Sequence, residues 1–580
     1  MPVVKESNSQ PFNPTRAPPG GDNGPALDHT KPSRYPHTMT TRSGAHALIE
    51  ALLAEGVTTL FGIPGVGTLP VYDAMLDHPS LRHIEVRHEQ AAIFMADGYA
   101  RATGEVGVAF TSGGPGALNT VTAMASSFND SVPVLHVTNE NPADVRRKGK
   151  GHFHDMSDQF GVFRSVSDFG IQATLADEIP GAVHQAMFAL RNRRPRPAIL
   201  EIAAEAFSAQ TDSPISPAAQ RRLRLPQTED VARAARLLVG AERPVIWAGG
   251  GVATRAAAAA LLRVVERTGA AVITTQKGKG ALPADHPLHI GNWANELPVR
   301  RLIERSDVML AVGTRFSYFP TGGWSLDIPC RIIQVDVDPA NIGLNYRTEV
   351  GVVGDAELSL AAIDAALTEL GHEDRPWRSA EVAEVLDQID RAVGHPIERQ
   401  VLEQIRAALP DESLVFNDPT TIAFWARSLW PATLPRTWSV PSGFGTLGSS
   451  MPTAIGAKVA RPEVPSMCII GDAGVMFTIQ DLMTAVQEQV PVVIMVFNDR
   501  GYGVERRHQD HLYGRRNAVD ITPPDFVALA KAFGAQGVLV GDLSRVGETL
   551  QSVLDAEGPV LIEIPNEFGH PGYGSFGSYE

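Results

Sequence analysis

Cysteine is nearly absent: Cys330 and Cys468 are the only two in 580 residues. A single pair cannot build a disulfide framework, so the small secreted scaffolds are excluded and a reducing, intracellular, cytoplasmic setting is expected. Long apolar runs are also missing. None approaches the roughly 18 residues that a membrane helix needs, so no membrane partner is expected. Positive charge is in deficit, with 50 basic against 65 acidic residues and a net charge of −15. That is the wrong sign for gripping a phosphate backbone, which argues against nucleic acid as a partner. What remains is ordinary for a globular protein, 43% hydrophobic and 20% charged. The length exceeds what one hydrophobic core organises and predicts three or four domains.

Residues 1–38 stand apart. The stretch PFNPTRAPPGGDNGP is rich in Pro, Gly and Asn and almost without apolar side chains. Such a segment cannot offset its ordering entropy by burial and reads as a disordered tail. It also lacks the apolar core of a secretory signal. From Ser43 onward, short apolar strands alternate with segments of helical period. That alternation predicts βαβ units and parallel sheets. Three blocks follow, at 39–209, 231–370 and 390–575, separated by the Pro-rich stretch 214–230 and by GHEDRPW (371–377). The expected fold class is α/β, with three doubly wound parallel-sheet domains. Ligands of such sheets sit beyond the carboxyl ends of the strands, so the chemistry belongs in the turns that follow them.

Two of these turns carry acids. CIIGDAG (468–474) is an apolar strand running into small residues, and PVVIMVFND (491–499) is another that continues as RGYG. Small residues let a backbone approach a ligand, and N–H groups at a helix start hold anions. Asp472 and Asp499 are one βαβ unit apart, which brings both carboxylates to one sheet edge. Two hard oxygen ligands together with phosphate oxygens and water make an octahedral Mg²⁺ site. Taken singly, Asp472 reads equally as a helix N-cap.

GDAG followed by FND resembles the cofactor motif of the thiamine-diphosphate (ThDP) enzymes, the superfamily of acetolactate synthase, benzoylformate decarboxylase and pyruvate decarboxylase. The resemblance extends over roughly residues 40–570. It implies ThDP and Mg²⁺ as cofactors, with Asp472, Asp499 and the main-chain carbonyl of Gly501 as metal ligands. Ala473 and Gly474 would present N–H groups to the diphosphate. Asp499 departs from the Asn usual at that position and adds a charge beside the diphosphate. RHEQAAIFMADGYARATG (87–104) resembles the first-domain motif, which makes Glu89 the carboxyl at N1′ of the aminopyrimidine; its plainer reading is an acid at a helix start. SGFGTLGSSMPTAIGA (442–457) resembles a third motif. There Gly445 would accept from the N4′ amine and Leu447 would wedge between the cofactor rings. NDPTTIAFW (417–425) matches the preceding loop, where Thr420 or Thr421 contacts the diphosphate. The resemblance further implies a homodimer or homotetramer whose active centre draws Glu89 and the diphosphate site from different subunits.

The middle block keeps AGGG (248–251) and GTRF (313–316), but departs from the acetolactate synthases at HIGNWAN (289–295) and at Ser317–Phe319. These departures leave FAD a doubtful second cofactor. The implied activity is decarboxylation of a 2-oxo acid and transfer of the resulting acyl carbanion to a second carbonyl, as in an acetolactate-synthase-like carboligase. The alternatives are a benzoylformate-type decarboxylase and a ThDP-fold protein without activity. Thr111 stands where benzoylformate decarboxylase has a His, which favours carboligation. His508 takes the place of the acceptor-selecting Trp of acetolactate synthases, and His154 lies near a pocket Gln. His508 is a candidate proton donor or acceptor-binding group and His154 a second catalytic candidate; each also reads as a surface or core residue. Arg506 and Arg507 could pair with a substrate carboxylate or belong to a solvated face.

Overall fold

The computed structural model describes residues 41–372 and 374–569. The tail expected at 1–38 and the last residues of the expected third block lie outside the described residues. Three six-stranded sheets, parallel throughout, organise the rest.

In spatial order the first sheet runs Arg82–Glu85, Thr59–Gly62, Gly107–Thr111, Val134–Glu140, Ala198–Ala203 and Phe169–Ala173. The second runs His289–Gly291, Ala271–Thr274, Pro244–Ala248, Val308–Val312, Arg331–Asp336 and Val350–Val353. The third runs Trp438–Ser439, Leu414–Asn417, Ser466–Gly471, Val492–Asn498, Val560–Pro565 and Gln536–Leu539. Helices cover both faces, so central strands are buried along their length. All seven residues of Val492–Asn498 are buried, which is why they read as a continuous apolar run and not as an alternation. A two-residue antiparallel ribbon, Arg42–Ser43 with Gln210–Thr211, ties the start of the first domain to its end.

Strand order reverses in the third sheet between Leu414–Asn417 and Ser466–Gly471. The chain leaves these two neighbours in opposite directions and opens a crevice above their carboxyl ends. In the first sheet the reversal falls between Thr59–Gly62 and Gly107–Thr111. There the loops at Gly65 and Ser112 meet.

The first and third domains join through two helices, Glu89–Thr103 and Ser450–Ala460. Gly98 lies against the Thr453 carbonyl and Gly456 against the Met95 carbonyl, so neither position has room for a methyl group. Around this contact Phe94, Met95, Met451, Ala454 and Ile455 belong to one continuous core. Backbones at this distance gain dispersion contacts that larger residues would forbid. Gly98→Ala should destabilise the protein by about 1–3 kcal/mol through overpacking, read as a lower thermal midpoint. An unchanged midpoint would show that the two helices slide apart without cost.

Candidate active site

Above the reversal in the third sheet lies a cleft lined by Asp418, Thr420, Thr421, Leu447, Asp472, Ala473, Gly474, Asp499 and Gly501, with Gly503, Val504 and Glu505 at its far wall. The Ser466–Gly471 strand delivers Asp472 to the first position of a short helix, Asp472–Val475. Asp472 is buried, and its Oδ2 accepts from the Gly501 amide at 3.0 Å. Burial and then the charge of Asp499 push the Asp472 carboxyl up to about 6. Burial also raises Asp499, opposed by Arg506 and Arg507. The Asp499 carboxylate lies against the Cα of Gly503, where a methyl would collide with it. Two carboxylates raised in this way, one buried and one half-buried, are a donor set suited to a hard cation. Among the described residues no group of three or more His, Cys, Asp or Glu side chains forms a metal cluster. A cation here would therefore complete its shell from backbone and ligand oxygens.

Thr420 precedes the Thr421–Leu429 helix and makes no side-chain cap bond to it, so its hydroxyl faces Gly471 across the reversal. Leu447 and Gly445 lie on the turn before Ser450–Ala460. Gly445 has φ +68°, a conformation that favours glycine, and it does not line the cleft.

The sequence reading missed what holds this turn. Asp418, fully enclosed at the end of its strand, accepts from the Ser450 amide at 2.9 Å, from the Gly448 amide and from the Ser449 hydroxyl. Burial pushes this carboxyl up to about 6 despite those three donors. Both oxygens face N–H groups, so the ionised form satisfies the turn and an amide does not.

The remaining candidates lie elsewhere. Glu89 opens the Glu89–Thr103 helix, where Asn119 Nδ2 donates to its Oε2 at 2.9 Å. Gly116 sits beside its other oxygen. His154 packs on Gly114 of the same loop, with φ +60° and its ring stacked on Phe153 at 3.8 Å. The reversal loop of the first sheet thus brings Glu89 and His154 together, apart from the cleft lining. His508 is half-buried on Gly503–Tyr513, one helical turn beyond the lining residues Val504 and Glu505. Arg506 is committed to the Asp499 and Arg500 carbonyls and to Asp520, and Arg507 to the Phe568 carbonyl. Both arginines are ties of the fold here.

In the central domain, Gly249 and Gly251 abut Gly313 so closely that a side chain on either would collide. Packing of two strand-end turns explains these glycines, and they carry no argument for FAD. The adjoining cleft encloses about 630 Å³ and is lined by Arg194, Arg221, Arg222, Arg315 and Arg436 among others.

Residues 42–162 match the thiamine pyrophosphate enzyme N-terminal TPP binding domain, 231–363 the central domain and 418–564 the C-terminal TPP binding domain. The chain belongs to the thiamine pyrophosphate enzyme family. A probable 2-ketoarginine decarboxylase of Pseudomonas aeruginosa is 35% identical over 539 residues, covering 90% of this chain and 94% of the relative. A probable acetolactate synthase large subunit of Methanocaldococcus jannaschii is 35% identical over 544 residues, covering 90% and 91%. An acetolactate synthase isozyme 2 large subunit of Escherichia coli is 31% identical over 532 residues, covering 90% and 95%. This chain is a ThDP-dependent enzyme that resembles acetolactate synthase. The described residues form no helix long and apolar enough to cross a membrane.

Asp418→Asn would set an NH₂ against the Gly448 or Ser450 amide. ThDP affinity should fall about tenfold or more, the equivalent of ~1.4 kcal/mol, as the Leu447 turn loosens. Titration calorimetry with ThDP in excess Mg²⁺ reads it. Wild-type affinity in the variant would make Asp418 a space-filler.

Proposed function

We propose that this enzyme decarboxylates a 2-oxo acid and transfers the acyl carbanion to a second carbonyl, as an acetolactate-synthase-like carboligase. One observation carries the choice. Thr111, at the strand end where a decarboxylase of the benzoylformate type keeps a histidine, is buried and paired with His136 Nε2 at 2.9 Å. His136 lies behind it, and burial pushes that imidazole down to about 3, so it stays neutral. Neither group can protonate a carbanion above the loop.

When bound, ThDP supplies the carbon that takes up the 2-oxo acid and the electron sink for the pair released with CO₂. The chain's own residues would do the rest. Asp472, Asp499 and the Gly501 carbonyl would hold Mg²⁺, while Ala473, Gly474 and Thr420 or Thr421 would hold the diphosphate. Glu89 would hold a proton at the aminopyrimidine. Gly445 would fix the N4′ amine and Leu447 the angle between the rings. His508, one turn above the cleft, would bind the acceptor, and His154 would line the donor side.

We further infer that two copies complete the centre. Glu89 and His154 do not line the cleft of their own chain. Large apolar side chains stand exposed on both parts: Val66 and Phe153 beside the first-sheet loops, and Phe444, Met476 and Phe477 beside the cofactor turns. Patches of this kind mark interfaces. A homodimer or homotetramer is the expected state, checked by light scattering.

A decarboxylase reading draws on the P. aeruginosa relative and on Glu505, an exposed acid in the cleft wall that could face a basic 2-oxo acid side chain. Incubation with straight-chain, branched and basic 2-oxo acids, with products read by mass spectrometry, separates the two. Carboligation products should dominate. His508→Ala should change their ratio with less effect on CO₂ release. Aldehyde as the sole wild-type product, with its release stalled in His508→Ala, would establish the decarboxylase instead.

A further inference from the structure

The segment that carries Glu89 is held by the third domain of its own chain. Three side chains, Asp481, Thr484 and Gln487, and the Phe477 carbonyl make the connection from that side, all downstream of the Asp472 turn. Asp481 Oδ1 accepts from the Arg87 amide at 2.8 Å. The Thr484 hydroxyl donates to the Glu85 carbonyl at 3.1 Å and also reaches Asp481 Oδ1 at 3.3 Å. Gln90 Nε2 donates to the Phe477 carbonyl at 2.9 Å. Gln487 accepts from the Arg87 guanidinium and donates to Glu85 at 3.3 Å. Residues 85–90 are the end of one strand and the start of the Glu89–Thr103 helix, so these bonds fix where that helix begins.

Asp481 and Thr484 have no exposure, and Asp481 is the one fully buried acid of the set. Its second oxygen is buried and has no hydrogen-bond partner among the described residues. Burial pushes the carboxyl up to about 7, and the neighbouring Glu89 charge adds to that rise. A side chain that served only to fill space would carry less desolvation cost as an apolar residue. The polar group is retained at the point where it can seat the Arg87 amide, two residues before Glu89.

We propose that Asp481 is a positioning residue for Glu89: its bond to the Arg87 amide ties the first turn of the Glu89–Thr103 helix to the third domain and so fixes where the Glu89 carboxyl is presented. The inference rests on the role given to Glu89 above. It also links the two cofactor-facing parts of one chain, since Asp481 follows the Asp472–Val475 helix by six residues.

The test uses the full-length enzyme loaded with ThDP and Mg²⁺ and measures hydrogen–deuterium exchange at C2 of the cofactor, by NMR after acid quench. Dissociation constants for ThDP are measured in parallel. Asp481→Ala should slow exchange about tenfold, the loss of one charge-assisted hydrogen bond, while ThDP affinity stays within about threefold. Asp481→Asn keeps an oxygen for the Arg87 amide and should recover most of the rate. Thr484→Val, nearly isosteric, should slow exchange in the same direction by less, and it decides the matter if the alanine variant does not fold. Wild-type exchange in Asp481→Ala or Thr484→Val would overturn the proposal. So would an asparagine variant as slow as alanine, because charge and not the bond would then matter. Glu89→Gln is the control. If it exchanges normally, the role of Glu89 falls; if it is slow while Asp481→Ala is not, only the present inference falls.

Discussion

Glycine makes the contact on which the rest of the site depends. Gly98 and Gly456 let the Glu89–Thr103 and Ser450–Ala460 helices touch backbone to backbone. The first of these helices begins at Glu89; the second begins two residues after the Gly448 turn. Any side chain at the crossing would push the two starts apart. A displacement of an ångström is large for groups that would each have to meet a small cofactor, because orientation can contribute several kcal/mol to a barrier. The geometry of the site is thus set by atoms that are not there. Polar bonds at Arg87, Gln90 and Glu85 then fix the helix start against the third domain, adding direction to a contact that dispersion alone would leave free to rotate.

Much of this was legible in the sequence, because the signals are local. A buried parallel strand announces itself as an apolar run, and the turn that follows shows its acids and glycines within seven residues, as CIIGDAG does. Eight of the candidate residues accordingly line one cleft. Asp418 and Asp481 were not legible, for a physical reason. Each works on a backbone amide far along the chain: Gly448 is 30 residues from Asp418, and Arg87 is 394 residues from Asp481. No periodicity or motif marks an acid whose partner is an anonymous amide. Arg506 and Arg507 show the converse. Two adjacent cations beside a metal turn suggested a substrate anchor, yet both are taken up by backbone carbonyls, Arg506 by those of Asp499 and Arg500 and Arg507 by that of Phe568. Sequence shows charge, while the fold decides what the charge is used on.

The central domain shows how a motif can be present for another reason. Its Gly-rich turns were read against a flavin pattern, but the two strand-end turns pack on each other and need glycine for that alone. The arginines around the neighbouring cleft are an independent observation about charge. Part of that field is already balanced within the protein. Asp130, with no exposed side-chain surface, holds Lys277 at 2.6 Å and Arg101 at 3.0 Å and also receives the Gly443 amide. The central domain is thereby joined by charge to the start of the Leu447 turn, whatever its cleft takes up.

The cleft of the third domain has the opposite sign. Asp418, Asp472 and Asp499 all line it, and burial raises all three above the ordinary carboxylate range. A diphosphate entering alone would add charge of the same sign to a partly dehydrated site, where repulsion is only weakly screened. The nearest cations do not relieve this: Arg506 and Arg507 soften Asp499 from a distance while their donors are spent on the backbone and on Asp520. Helix starts at Thr421 and Asp472 contribute partial positive charge, but about half a unit each. Asp472 and Asp499 would hold a divalent cation that offsets this repulsion, and the aspartate at position 499 would make that requirement stricter. The site therefore supports a proposal in which the metal is the electrostatic condition for binding the cofactor at all.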